Sequence, residues 1–216
     1  MLGAGRVSLH RALQNLGLVR RILSPGLEDD LVLLSVVCRL LDDTAAQLDE
    51  SGALAELDRL EGELCASRQP RPIVDQLRAR LKQHRVDPAM FRYVIAGLRR
   101  DLQPAPLAND EEFLTYSYHV AGVLSVILGA ALGGTRRRSI PYALDFGIAL
   151  HISGVVRDWP SDARRNRCYI PARRLTPYGL SSQRIIAAAD DPAMPASVRP
   201  ALEGLLRLGD TYYRSA

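Results

Sequence analysis

Lysine and cysteine are both scarce in this 216-residue chain. Lys82 is the only lysine among 28 basic residues, so arginine carries nearly all of the positive charge. These residues are scattered among 24 acidic ones, whereas a nucleic-acid-binding protein concentrates its positive charge on one face. We therefore predict no nucleic-acid partner. The cysteines, Cys38, Cys65 and Cys168, are far apart and odd in number, which argues against a disulfide framework or a zinc site and favours a reducing, cytoplasmic location.

Long hydrophobic runs are also missing. The N-terminus has no secretory signal pattern, because Arg6, His10 and Arg11 interrupt it before an apolar run forms. The most apolar stretch, residues 120–134, is about 15 residues long, and a bilayer span needs roughly 20. We interpret it as a buried core helix and leave peripheral membrane contact open.

Patterns typical of β-strands are rare, while apolar residues recur at helical spacing along most of the chain. Apolar residues make up 47% of the sequence, enough for a substantial core. These features predict an all-α bundle of eight or so helices in a single domain, residues 1–216. The predicted helices cover residues 8–23, 28–48, 51–66, 73–84, 88–102, 110–132, 141–157 and 202–213, with turns and short helices between 171 and 195.

Two acidic segments, residues 38–44 and 157–162, lie on helices that are otherwise apolar. In the second, Asp158 and Asp162 are four residues apart, which places both carboxylates on one face of a helix. Two such carboxylates repel each other unless a cation joins them, and magnesium commonly binds through one or two carboxylates plus substrate phosphates. The neighbouring arginines suit phosphate groups. The alternative is a solvated acid pair that only forms surface ion pairs.

The segment from Asp145 to Pro171 strongly resembles the second aspartate-rich segment of squalene and phytoene synthases. That segment has a small-residue helix, then Arg-Asp-x-x-x-Asp, a basic stretch, an arginine, a tyrosine and a proline. The matching residues are Arg157, Asp158, Asp162, Arg167, Tyr169 and Pro171.

Three further segments resemble the same family, in the same order, between about residues 21 and 180. Residues 38–43 resemble its first acidic motif with the Cys-Arg lead-in. Gly97 and Asp101 match a Gly-x-x-x-Asp-Leu helix, and residues 116–122 match a Tyr-x-Tyr-x-x-Ala-Gly segment.

The resemblance implies an α-helical terpenoid synthase-like bundle in which two acidic motifs face each other across a central cavity. It further implies Mg²⁺ as cofactor, a C10–C20 prenyl diphosphate as substrate and prenyl transfer as the reaction. On this basis the metal ligands are Asp42, Asp43, Asp158 and Asp162. The diphosphate-binding residues are Arg39, Arg157 and Arg167, and the catalytic residues are Asp158, Asp162, Tyr169 and His151.

The sequence also departs from the family pattern. Ala46 stands where the first motif usually has its last aspartate, and His151 and Gly154 replace a glutamine and an asparagine. His151 is either a packed interior residue or a base that quenches a cation. Relatives also continue beyond the region of Tyr212. These departures keep two alternatives open, namely a terpene cyclase or lyase acting on one prenyl diphosphate, and a non-catalytic lipid-binding or assembly relative. A homodimer is also left open.

Overall fold

The computed structural model describes residues 33, 36, 40, 49–65, 69–103, 105–131 and 137–216. This part of the chain is built from helices and contains no strands, which confirms the predicted all-α class. The α-helices are α1 Glu50–Cys65, α2 Pro72–Gln83, α3 Phe91–Leu102, α4 Asp110–Ser117, α5 Val123–Ala131, α6 Ile140–Ala163, α7 Ala172–Leu175, α8 Ser182–Ala187 and α9 Met194–Ser215.

Shorter helical turns join several of these elements. A π-helical segment, Tyr118–Gly122, links α4 to α5 without a break. Single 3₁₀ turns precede α3 at Pro88–Met90, precede α6 at Arg137–Ser139 and follow α7 at Thr176–Tyr178. The predicted helix from 110 to 132 is therefore one helical path through Ala131, with a local widening in its middle.

Side-chain caps fix the beginnings of several helices. At the start of α4, the Asn109 side chain accepts a hydrogen bond from the Glu112 amide at 3.0 Å, and the Glu112 side chain accepts one from the Ala108 amide at 3.0 Å. This reciprocal pairing satisfies amides that have no partner within the helix. Pro72 begins α2 at a position where its missing N–H costs nothing.

Two helices extend beyond their predicted ends. The sequence predicts that α6 ends near Arg157, but the helix continues through Pro160 to Ala163. A proline inside a helix removes one N–H donor and crowds the carbonyl four residues earlier. Only the last turn follows Pro160, and the burial of the apolar side chains of Trp159 and Ala163 offsets that loss. Likewise α9 begins at Met194 rather than near residue 202, because Pro195 lies in its first turn, where proline is tolerated.

Among the described residues, the apolar core consists of two clusters. One is formed by α1, α2, α3 and α5, with Phe91 and Ile127 fully buried within it. The other is formed by α4 and the elements from α6 to α9, around Phe113 and Ile152. Tyr118 packs against both clusters. The π-helical segment therefore lies where one helical path passes from one core to the other.

Two glycines let helices approach this segment closely. A Cβ on Gly97 of α3 would lie 2.5 Å from a methyl group of Val120. A Cβ on Gly147 of α6 would lie 2.6 Å from the carbonyl oxygen of Ala121. These contacts bring α3 and α6 against the π-helical segment from two sides and so position the polar residues described below.

The stretch Asp110–Ala130 is, by length and composition alone, apolar enough to cross a membrane. Of its most apolar window, 56% is buried inside the molecule. Val123 and Ile127 within it are fully buried, as the sequence interpretation of a core helix requires.

Candidate active site

A buried carboxylate at the end of α3 forms the centre of the site. Asp101 is 3% exposed, and its Oδ1 accepts hydrogen bonds from the hydroxyls of Tyr116 at 2.7 Å and Tyr169 at 3.0 Å. The two tyrosine rings are stacked, with centroids 5.3 Å apart. Three separate segments of the chain therefore meet at one carboxylate.

His151 lies beside this cluster on α6 and is buried. Its Nδ1 is 2.9 Å from the Ser117 hydroxyl, which itself donates to the carbonyl of Phe113 at 2.8 Å. Because that hydroxyl proton is already used, Nδ1 carries the histidine proton and Nε2 is left as an acceptor. The His151 ring stands edge-on to Tyr116, with centroids 5.3 Å apart.

Burial controls the charge state of His151. Desolvation lowers the pKa of this histidine from 6.5 to about 4, although the negative charge of Asp101 opposes the shift. The ring is therefore neutral at physiological pH. Within the part of the chain that the structure describes, Nε2 has no hydrogen-bond partner, which leaves its lone pair available to accept a proton or a hydrogen bond.

The second acidic motif lies on the last two turns of α6. Since the helix is continuous through Ala163, Asp158 and Asp162 share one face, as predicted. The Arg157 guanidinium holds Asp158 through two hydrogen bonds, of 2.9 and 2.7 Å. Asp162 is buried more deeply, and the Arg165 guanidinium lies 3.6 Å from its carboxylate.

The chain reverses direction directly after this motif. The amides of Arg165 and Arg167 both donate to the carbonyl oxygen of Asp162, at 2.9 and 3.0 Å. Asn166 adopts a left-handed conformation with φ of 61°, which asparagine tolerates better than most residues. This turn directs the Arg167–Tyr169 segment back toward Asp101.

The segment that follows is fastened to the N-terminal end of α4. The amides of Ala172 and Arg173 donate to the carbonyls of residues 107 and 108, at 2.8 and 3.0 Å. The Arg174 guanidinium binds the Asp110 carboxylate through two hydrogen bonds, of 2.6 and 2.7 Å. Such bidentate pairs are geometrically specific, so Tyr169 is held on a rigid support.

A cavity of about 230 Å³ lies between the end of α3, the turn after α6 and α8. Arg167 and Tyr169 line it together with Asp101. In the described part of the chain Arg167 makes no ion pair, although it is only partly exposed. The remaining lining residues are Arg100, Ala105, Pro106, Leu107, Asn166, Cys168, Ser182, Gln183 and Ile186.

Burial and the charges around Tyr169 determine the pKa of its phenol. Burial raises the pKa of its phenol, the negative charges of Asp101 and Asp162 raise it further, and the positive charge of Arg167 opposes the rise. Burial likewise raises the pKa of Tyr116 well above its usual value, with Asp101 contributing. Both tyrosines therefore remain protonated hydrogen-bond donors at neutral pH.

The predicted site residues fall into three groups. Asp162, Arg167 and Tyr169 lie close together, and His151 joins them through Tyr116. Asp158 and Arg157 form a pair one helical turn before Asp162. The remaining ones, Arg39, Asp42 and Asp43, lie outside the described residues, so their part in the site stays a prediction.

The sequence matched Asp101 and Tyr116 to family motifs but assigned them no role. The signal for Asp101 was nevertheless present. Phe91, Val94 and Leu98 form the buried stripe of α3, and Asp101 continues that stripe at helical spacing. A carboxylate on a buried stripe requires hydrogen-bond partners.

The donor chemistry of the second motif suits magnesium, which prefers oxygen ligands. Asp158 and Asp162 supply two carboxylates on one helix face. Among the described residues no group of three His, Cys, Asp or Glu side chains could hold a metal ion. Substrate oxygens, water or residues outside the described ranges would therefore have to complete the shell.

Comparison with known proteins gives matches along nearly the whole chain. Residues 9–216 match the family model for squalene/phytoene synthase. The 15-cis-phytoene synthase of Paracoccus sp. (strain N81106) is 28% identical over 214 residues, covering 94% of this chain and 68% of that protein. The 15-cis-phytoene synthase of Enterobacter agglomerans is 29% identical over 133 residues, covering 62% of this chain and 44% of that protein. The aligned chain thus spans 44% and 68% of these two relatives.

A solved structure of a dehydrosqualene synthase in complex with a ligand is similar in fold. The TM-score is 0.71 at 16% sequence identity, and the similarity covers 96% of this chain and 76% of that one. This likeness supports the helical architecture described above.

Proposed function

Because the chain belongs to the squalene/phytoene synthase family, we propose that it is a prenyltransferase that ionises an allylic prenyl diphosphate and couples the prenyl group to a second isoprenoid. One observation carries the proposal. Arg167, which has no ion pair in the described part of the chain, lines a cavity beside Tyr169, close to the buried carboxylate of Asp162.

Each residue of this arrangement has a distinct task in the proposed reaction. Arg167 binds the diphosphate oxygens with its fork of donors. Tyr169, held as a protonated donor, orients the same group. Asp158 and Asp162, with Asp42 and Asp43, hold Mg²⁺. When bound, magnesium would stabilise the negative charge that develops on the departing diphosphate.

His151 has a proposed part at the end of the reaction. Its neutral ring presents an acceptor nitrogen, Nε2, away from water. A buried neutral imidazole suits the removal of a proton from a carbocation. Tyr116, edge-on to the ring, fixes its orientation.

The experiment is incubation with Mg²⁺ and C10, C15 or C20 prenyl diphosphates, followed by measurement of pyrophosphate release and analysis of the extracted product. We expect release with at least one substrate and its loss in Asp158→Asn. Asp190→Asn is the matched control, because Asp190 is an exposed carboxylate that pairs with Arg164. An active D158N protein, or a wild type that releases no pyrophosphate and binds no magnesium, would contradict the proposal.

A terpene cyclase or lyase is the second candidate. Ala46 stands where the first motif of the family usually has a carboxylate, so that motif would offer fewer oxygen ligands to a metal ion. The product distinguishes the two activities, since coupling yields a doubled chain, whereas cyclisation yields a hydrocarbon or alcohol from one substrate. A wild type that binds prenyl diphosphate without turning it over would instead support the non-catalytic alternative.

We also propose a cytoplasmic location with peripheral membrane contact, because the prenyl chains of such substrates partition into lipid. Flotation with lipid vesicles tests the contact. Sedimentation velocity tests the homodimer that the sequence leaves open.

A further inference from the structure

Two arginines from different parts of the chain line the cavity between α3, α8 and the turn after α6. Arg100 comes from the last turn of α3, and Arg167 comes from the turn that follows α6. The sequence drew attention only to Arg167. The distances from the Arg100 guanidinium to its nearest acceptors indicate the role of this residue.

Neighbouring arginines on α3 differ sharply in their contacts. The Arg99 Nη2 lies 2.5 Å from the carboxylate of Asp58 and 2.6 Å from that of Glu61. The Arg100 Nη2 lies 3.8 Å from the Glu112 carboxylate and 3.4 Å from the Ala105 carbonyl. Both distances are long for a hydrogen bond, so Arg100 keeps most of its donor capacity.

The charge that the cavity presents is positive. Asp101 also lines it, but its carboxylate is buried and accepts hydrogen bonds from Tyr116 and Tyr169. Arg100 and Arg167 are more exposed, and they therefore dominate the field that a ligand meets.

We propose that Arg100 and Arg167 form a two-armed clamp that holds a diphosphate group in this cavity. The cavity, of about 230 Å³, leaves room for a diphosphate group with some water. The anion is either the head of the substrate or released pyrophosphate, and its identity rests on the proposed function.

Calorimetric titration with inorganic pyrophosphate, with and without Mg²⁺, tests the clamp without catalysis. We expect Arg100→Gln to weaken binding about tenfold to a hundredfold, as expected for the loss of charge-assisted hydrogen bonds. Arg92→Gln is the matched control. Arg92 is an exposed arginine on the same helix whose Nε donates to the Ala89 carbonyl at 3.0 Å, and its loss should leave affinity unchanged.

A second titration uses a C15 prenyl thiodiphosphate that cannot ionise. A loss of affinity in R100Q for both ligands places the substrate head in the clamp, whereas a loss for pyrophosphate alone identifies a product site. Unchanged affinity for both ligands in R100Q would overturn the clamp.

Two further variants separate binding from folding. Arg100→Lys keeps the positive charge but loses the paired N–H donors of the guanidinium. The pyrophosphate affinity of this variant should therefore lie between those of the wild type and R100Q. Glu112→Gln removes the distant carboxylate partner and should leave affinity equal or higher. Equal losses of melting temperature in R100Q and E112Q, with pyrophosphate binding intact in both, would show a purely structural role.

The outcomes also separate this inference from the proposed function. If the wild type turns over prenyl diphosphates but R100Q binds pyrophosphate as tightly as the wild type, the clamp alone is contradicted. A protein that binds pyrophosphate through Arg100 but turns over no substrate contradicts the proposed function alone.

Discussion

Asp101 shows how a single buried carboxylate can organise a site. It lies on the apolar stripe of α3, where an unpartnered charge would be costly. The hydroxyls of Tyr116 and Tyr169 meet that requirement and, in doing so, connect α3 to α4 and to the turn after α6. The cost of burying the charge thus enforces the placement of Tyr169 beside the cavity.

Removing either hydroxyl should destabilise the fold. We expect Tyr116→Phe to lower the free energy of unfolding by about 1–3 kcal/mol, because the buried Asp101 loses a hydrogen bond that water cannot replace. Tyr169→Phe should cost less, since the cavity beside it admits water. Urea unfolding measures both values. The exposed Tyr178 provides the control, Y178F, which should match the wild type. An equally stable Y116F would show that Asp101 does not need this donor.

His151 gives the stability a pH dependence. Its pKa of about 4 in the folded protein is below the value of about 6.5 expected for the unfolded chain, so protons favour the unfolded state. The contribution of neutral His151 to the free energy of unfolding is complete above pH about 6.5. It falls by roughly 3 kcal/mol in total as the pH drops toward 4.

Urea unfolding of the wild type and His151→Gln at pH 7 and pH 5 tests this dependence. The stability of the variant should fall less steeply with pH than that of the wild type. The substitution His84→Gln, next to the end of α2, serves as the control. Parallel pH profiles for H151Q and the wild type would contradict the buried neutral ring.

The sequence alone predicted Asp162, Arg167 and Tyr169 as neighbours through family motifs, and the structure places them together. It could not assign roles to Asp101 and Tyr116. Their hydrogen bond joins residues 15 positions apart on different helices, and no local pattern encodes a contact of that kind. Only the position of Asp101 on the apolar stripe of its helix indicated that this carboxylate needs hydrogen-bond partners.

Among the helices, those bounded by proline or by capping residues were the most predictable. The predicted starts near residues 73 and 110 agree with α2 and α4, where Pro72 and Asn109 supply local signals. The end of α6 was not predictable, because burial of the apolar side chains of Trp159 and Ala163 outweighs the local effect of Pro160. The π-helical segment was missed for a similar reason, since it depends on packing against α3 and α6.

The close approach of α6 to the π-helical segment gives a sharp test. In Gly147→Ala the new Cβ would meet the backbone of Ala121 at 2.6 Å and the Ser125 hydroxyl at 2.5 Å. Backbone cannot move aside cheaply, so we expect a loss of about 2 kcal/mol or more in urea unfolding.

The matched control for G147A is Gly129→Ala in α5. There the nearest atom to the new Cβ is the Cβ of Ala143 at 3.8 Å, which is ordinary contact. Alanine favours helices over glycine by up to about 1 kcal/mol, so G129A should be neutral or stabilising. Equal effects of the two substitutions would mean that helix propensity, not close packing, determines the cost.

In the described part of the molecule, two apolar clusters share one helical path that changes core at Tyr118. Asp101 lies on a helix of the first cluster, while Asp162 lies on α6, a helix of the second, and Tyr169 packs against the second. The polar site therefore lies where the two clusters meet. Composition and periodicity predicted the helices, but the division into two clusters depends on contacts between distant elements.

A ligand that binds carboxylates and arginines on helices of both clusters should stabilise the folded protein as a whole. We expect Mg²⁺ and pyrophosphate together to raise the melting temperature by about 5–10 °C, because a ligand at about 100 times its Kd adds roughly 2.7 kcal/mol to the native state. Each alone should do less, since magnesium binds such sites largely through phosphate oxygens. Asp162→Asn and Asp42→Asn should each reduce the shift, whereas Asp190→Asn, which alters an exposed ion pair, should keep it. A full shift in D162N would show that this carboxylate holds no metal and would remove Asp162 from the proposed site.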